Sequence, residues 1–276
     1  VIICFILNFE YYYFNNLIKR IIFKVENKTN NNFIISNFNK YLITFIGLLF
    51  IYLFYLLIPN LYDKTWVQTT LERKLLNEFK INLSNSSDIT YKILPAPHYL
   101  IKDSKIFVSN NEKQKSIADI RDFKVFLSQA NFLDKEKMII KKLVINNANF
   151  SLSRIDLNLV DSLRNEKFPN NEIKITNSNI FFKDNLGDII SITKIDNSVL
   201  FYDDKKLLNL LNLKGEIFNI PFTFNFIKHD DEKKYEKINF KSKLLKLNII
   251  NELVEEKDKS INGKNSISFF NSIINT

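Results

Sequence analysis

The chain has 276 residues, 46% of them apolar, and a formal charge of +9. That length and apolar share can bury a sizeable core in one or two domains, which excludes a disordered chain. Lysine is interleaved with acidic residues, as in Asp230-Asp231-Glu232-Lys233-Lys234, so no single-sign stripe forms for a phosphate backbone to follow and nucleic acid is not an expected partner. The single cysteine, Cys4, excludes an internal disulfide and a thiolate zinc cage.

Residues 1–40 read as a cytoplasmic N-terminal segment. Its apolar start, residues 1–9, is too short to span a bilayer and lacks the basic region and cleavage site of a signal peptide. The chain begins with Val1 rather than Met, so the start of translation lies elsewhere or the chain is a fragment, and part of this segment is expected to be non-native.

No charge occurs between Lys40 and Asp63, and residues 41–58 are apolar on every side. At 1.5 Å per residue such a helix spans roughly 27 Å, enough to cross hydrocarbon. Tyr41 at one end, with Tyr62 and Trp66 beyond the other, supplies rings for the headgroup level, and Pro59 stops the helix. Lys19, Arg20, Lys24, Lys28 and Lys40 precede it against Glu10 and Glu26, so a single-pass protein is expected with its N-terminus in the cytoplasm and its bulk exported.

Residues 60–82 predict an amphipathic helix, because Val67, Leu71, Leu75 and Phe79 recur every fourth residue and charges occupy the other faces. Asn60 or Asp63 is suited to cap it. Its stripe docks on the rest of the domain or lies flat on the bilayer. From residue 89 the period falls to two. Phe218, Ile220, Phe222, Phe224 and Phe226 alternate with polar neighbours, and shorter alternations occur at Phe123/Val125/Leu127, Ile173/Ile175, Ile180/Phe182 and Ile238/Phe240. The short turns between them favour antiparallel hairpins, with helical interludes expected at residues 132–137 and 244–256. The expected fold is mainly β, with an N-terminal transmembrane helix and a short amphipathic helix, its antiparallel sheet curled into an apolar groove over residues 89–259. Residues 260–276 read as a polar tail with no evident terminator, expected to be truncated.

Chemistry-bearing groups are sparse. His98, in a Pro-rich turn, and His229, in a charged turn, read as surface or loop histidines. The pairs Asp203-Asp204 and Asp230-Asp231 suit turns better than acid–base work, since adjacent strand residues face opposite ways. No nucleophile elbow, zinc-protease motif or phosphate loop is present. The expectation is a non-enzyme with no metal and no cofactor.

One cluster of features carries a resemblance: the apolar helix, the amphipathic helix, then Tyr91-Lys92-Ile93-Leu94-Pro95-Ala96-Pro97-His98-Tyr99-Leu100 leading into a strand. Farther on, the run from Ile139 to Leu152 and the run from Ile173 to Ile180 share a strand, small turn, strand phrase, Ile145-Asn146-Asn147-Ala148-Asn149-Phe150 against Ile175-Thr176-Asn177-Ser178-Asn179-Ile180. This arrangement resembles the N-terminal portion of the AsmA-like family of bacterial envelope proteins. The resemblance implies an inner-membrane anchor, a periplasmic β groove and a part in phospholipid movement or outer-membrane biogenesis, with membrane phospholipid and an envelope protein as partners. It brings no catalytic residues.

The residues themselves lead toward a similar place. A sheet with one aliphatic and aromatic face must cover it with a second layer or hold something apolar against it. Phe150, Phe182, Phe218, Phe222, Phe224 and Phe226 are the candidates to contact acyl chains, being large and on the alternating face. They are otherwise core residues beneath a second layer. The competing function is a membrane-anchored periplasmic scaffold that moves no lipid.

Overall fold

The computed structural model describes residues 37–83, 88–110, 113–156, 166–184, 186–229, 234–255, 260–270 and 272–276. The N-terminal segment before residue 37 and the pair Asp230-Asp231 lie outside the described residues. Two compact units divide the chain, one through Tyr52 and one from Leu53 to Thr276.

Helix α1, Asn37–Leu57, begins four residues before the predicted span and ends one residue short of it. The stretch Asn39–Leu61 is long and apolar enough to cross a membrane, and only 6% of its apolar window is buried, unlike the core helix of a globular domain. A 3-10 turn, Ile58–Leu61, follows at Pro59. Asp63 then caps α2, Lys64–Phe79, its side chain accepting from the Trp66 N–H at 2.8 Å. Lys80 closes α2 in the left-handed region, at φ 58°, where helices more often place glycine.

Of the two uses open to the α2 stripe, the structure adopts docking. Val67, Leu71, Leu75 and Phe79 are buried in one cluster with Tyr99, Ile101, Phe123, Val125, Leu143 and Ile145 of the sheet. Each such side chain withdrawn from water contributes about 1.5–3 kcal/mol.

The described residues hold thirteen strands in one open sheet. They are β1 Asn82–Leu83, β2 Ile89–Lys92, β3 His98–Asn110, β4 Lys113–Leu127, β5 Ile140–Ser153, β6 Glu172–Lys183, β7 Ile189–Asp203, β8 Leu208–Ile217, β9 Ile220–His229, β10 Lys234–Ser242, β11 Leu247–Glu255, β12 Ile261–Phe269 and β13 Ser272–Asn275. From β3 onward each pairs with the next in sequence, while β1 and β2 share the outer edge of β3. Pairing is antiparallel throughout, except that β5 and β6 run parallel.

That parallel pair sets the two related phrases side by side, Ile145 opposite Ile175, Asn149 opposite Asn179 and Phe150 opposite Ile180. What the sequence suggests is a small turn is a kink inside a continuous strand. Asn147 (φ 55°) and Asn177 (φ 48°) occupy the left-handed region, and so does Asp103 (φ 48°) in Ile101-Lys102-Asp103-Ser104-Lys105-Ile106 of β3. Each kink inserts one residue, so the buried set shifts from Leu143 and Ile145 to Ala148 and the apolar face stays on one side. The residue after each kink, Ser104, Ala148 or Ser178, is small and fully buried. Asparagine and aspartate tolerate this backbone because their short polar side chains bond locally. Across the strands, Asn177 Nδ2 and Thr176 Oγ1 of β6 both donate to Asn146 Oδ1 of β5, at 3.2 and 3.0 Å.

The row ends at β8, where the register with β7 shifts between Ile195 and Asn197. A Cβ on Gly215 would lie 2.1 Å from the Lys194 carbonyl oxygen, so only glycine fits.

Three expectations are corrected. The described residues 244–255 are no helical interlude but a turn leading into β11, because Leu247, Ile249 and Leu253 also carry period two and pair with Ser242, Phe240 and Glu236 of β10. Residues 132–137 form no helix beyond the 3-10 turn Lys135–Lys137. The polar tail is two strands, β12 and β13, extending the sheet.

Replacing Gly215 with Ala forces the β7–β8 pair apart and is expected to cost about 1–3 kcal/mol, the usual penalty of overpacking. A thermal melt followed by circular dichroism should show a lowered midpoint; an unchanged midpoint contradicts the close approach.

Candidate functional site

Strand alternation places Phe222, Phe224 and Phe226 on one face of β9. Their register neighbours on that face are Gly215, Leu213 and Leu211 of β8, and Phe240 and Ile238 of β10 opposite Phe224 and Phe226. The same face continues through Ile249 of β11 to Ile267 of β12. In the other direction it runs through Leu200, Ile173 and Leu143 to the strands that α2 covers. One apolar face therefore extends from β3 to β12, and the opposite face carries Lys214, Thr223, Asn225, Lys241 and Asn248.

Two packed clusters occupy parts of that face. The first is the α2 cluster, against which Phe150 rests. The second gathers Phe168, Tyr202 and Phe226, with Phe224 and Ile238 at its margin. Phe168 belongs to the segment before β6 and stands 6.2 Å from the Phe226 ring. Asn209 straps this segment down, accepting from the Phe168 N–H at 2.9 Å and donating to the Glu166 carbonyl at 2.9 Å. The Lys167 ammonium lies 3.7 Å from the centre of the Tyr202 ring. Phe222, Phe240, Ile249 and Ile267 belong to neither cluster. Phe222 and Phe240 stack on each other at 5.2 Å, and Ile267 and Phe269 remain 40% and 49% exposed.

Of the six predicted phenylalanines, five therefore share the apolar face: Phe150, Phe182, Phe222, Phe224 and Phe226. Phe226 is core, and Phe150 and Phe224 pack against core, so these three have at least the ordinary packing role. Phe218 does not share the face. With Asn219 it forms the two-residue turn from β8 to β9, both at positive φ (51° and 62°), and is 69% exposed. Its backbone bends before the strand alternation begins at Ile220, the geometry of a primed hairpin turn. Sequence reasoning missed Leu247 and Ile249, because their segment also reads as helical, and Ile267, because it sits among Asn and Ser.

The predicted membrane-interface rings are placed differently from one another. Tyr41 is exposed. Tyr62 is half-buried, donating to the Phe132 carbonyl at 2.6 Å, and burial with the nearby Asp134 raises its pKa. Trp66 meets Tyr62 edge-on at 5.5 Å, with the Lys135 ammonium 5.5 Å from its own ring centre.

His98 is not a surface residue. It opens β3, is 2% exposed, stacks on Phe126 at 4.8 Å and donates from Nδ1 to the Ala96 carbonyl at 2.7 Å. Burial lowers its pKa against the effect of that hydrogen bond, and Lys124 and Lys92 lower it further. His229 ends β9, tilted against Tyr235. Asp203 serves its turn, accepting from the N–H groups of Lys205 and Lys206. Among the described residues no three His, Cys, Asp or Glu side chains stand together in a way that would hold a metal ion.

No family model matches the chain, and no curated protein matches it.

Because the folded state holds His98 neutral, the unfolded chain binds its proton first. The stability contributed is complete above pH 6.5 and is lost as pH falls below it. Thermal melts between pH 7.5 and 5.5 should show a steeper acid loss for the native chain than for His98→Phe. Equal slopes would remove His98 from the acid response.

Proposed function

We propose that this chain is a membrane-anchored lipid-handling protein, held by α1 in a bacterial inner membrane with its sheet on the periplasmic side, and that the stretch of apolar face from β9 to β12 receives acyl chains. The observation that carries this reading is an apolar face continuous across the sheet on which Phe222 of β9, Phe240 of β10, Ile249 of β11 and Ile267 of β12 lie outside both packed clusters. Aromatic and aliphatic side chains left there against water cost about 25 cal/mol per Å2, and acyl chains relieve that cost without requiring polar recognition. The resemblance of the N-terminal portion to AsmA-like proteins points the same way. The basic residues before α1 support a cytoplasmic N-terminus. In this role the protein binds or passes phospholipid in support of outer-membrane biogenesis, working with an envelope protein partner.

A second reading, a periplasmic scaffold, draws on the last strands. β13 pairs with only Ser266–Phe269 of β12 and displays Ile273 and Ile274, a setting in which a partner chain can add a strand.

Photo-crosslinking residues introduced at Phe222 and Phe224 in the membrane-embedded chain are expected to capture phospholipid, while the same residue at Asn225, on the opposite face, captures none. Capture at Asn225 alone removes the lipid reading, and protein adducts at Ile273 without lipid adducts at Phe222 favour the scaffold.

A further inference from the structure

Four leucines are the most exposed large apolar residues described: Leu186 (88%), Leu61 (81%), Leu133 (81%) and Leu94 (80%). Leu186 lies in the β6–β7 turn at one end of the strands. The other three lie at the opposite end, on three separate segments. Leu61 is in the turn between α1 and α2, Leu94 between β2 and β3, and Leu133 between β4 and β5.

Hydrogen bonds tie these segments to the last turn of α1 and the 3-10 turn that follows it. Tyr91 Oη donates to the Leu56 carbonyl at 2.6 Å and Tyr99 Oη to the Pro59 carbonyl at 2.8 Å, which satisfies acceptors that the helix end leaves open. Tyr62 reaches the Phe132 carbonyl, beside Leu133, and Tyr55 donates to the Gln129 carbonyl. The Leu127 N–H donates to the Pro97 carbonyl, linking the Leu94 segment to the one that carries Leu133. Lys64 and Lys135 are exposed on the same segments.

Scattered exposed leucines on a soluble surface need no explanation, but three at one end, each at the tip of a fastened turn around the end of an apolar helix, share one environment. A membrane-crossing helix that ends at Leu57 leaves the residues just beyond it at headgroup level. We infer that this end of the sheet is seated in the lipid headgroup layer, with Leu61, Leu94 and Leu133 inserted toward the acyl carbons and Lys64 and Lys135 at the phosphates. The seat rests on α1 crossing the membrane and not on lipid binding by β9 to β12. It holds the first strands against the bilayer whatever the later strands carry.

The test uses the full chain in a Cys4→Ser background, reconstituted in phosphatidylcholine–phosphatidylglycerol vesicles, with single spin labels at positions 49, 61, 94, 133 and 186. Collision with oxygen, which concentrates in lipid, is compared with collision with a water-soluble nickel chelate. Labels at 61, 94 and 133 are expected to give depths between the label at 49, in hydrocarbon, and the label at 186, in water. Labels at 61, 94 and 133 that match the label at 186, while the label at 49 reads hydrocarbon, overturn the seat and leave the anchor standing. Water access at 49 as well overturns both. Neither result bears on lipid capture at Phe222.

Discussion

Apolar surface has to leave water, and in this chain one face of a wide sheet concentrates that demand. The face runs through ten successive strands, β3 to β12, at roughly 4.8 Å spacing, on the order of 50 Å. Against it the described residues set a sixteen-residue helix at one end and, near the middle, a strap bearing Phe168. α2 can serve its part because Val67, Leu71, Leu75 and Phe79 form one stripe, and because Asp63 and Lys80 fix where the helix starts and stops. Phe222, Phe240, Ile249 and Ile267 of the later strands lie beyond the reach of either cover, and the proposed function follows from that imbalance.

The row of kinks keeps the face continuous. Without an added residue in each of β3, β5 and β6 the strands would still alternate, but adding one in a single strand alone would turn its remaining side chains to the wrong side. Here Asp103, Asn147 and Asn177 lie in register, so neighbouring strands shift together, and Ser104, Ala148 and Ser178 keep the crossing thin. The parallel pairing of β5 with β6 brings two copies of one phrase side by side, so each kink meets its like. Gly215 absorbs the last shift, where β8 carries no added residue.

Much of this was legible in the sequence. The apolar helix and the α2 stripe declare themselves through unbroken periodicity, and the face of β9 through Phe222, Phe224 and Phe226. What stayed hidden depends on partners far along the chain. Leu247 and Ile249 satisfy a helical and a strand pattern equally, and only β10 decides between them. Phe218 continues an alternating run on paper, yet the hairpin turn takes its backbone into the left-handed region before the strand begins. His98 follows two prolines in a segment that reads as a loop, and its burial arises from Phe126, which is 28 positions away and faces it across β3 and β4. The exposed leucines at 61, 94 and 133 are unremarkable singly and become a group only when the strand ends are brought together.

The central claim is that the uncovered stretch of the face holds lipid. Native mass spectrometry of the full chain, released from detergent, tests it most directly. The account predicts phospholipid bound to the folded chain and lost in a variant carrying Phe222→Asp and Phe240→Asp that keeps its β-sheet circular dichroism. A folded native chain that carries no phospholipid, or a variant that retains all of it, contradicts the account.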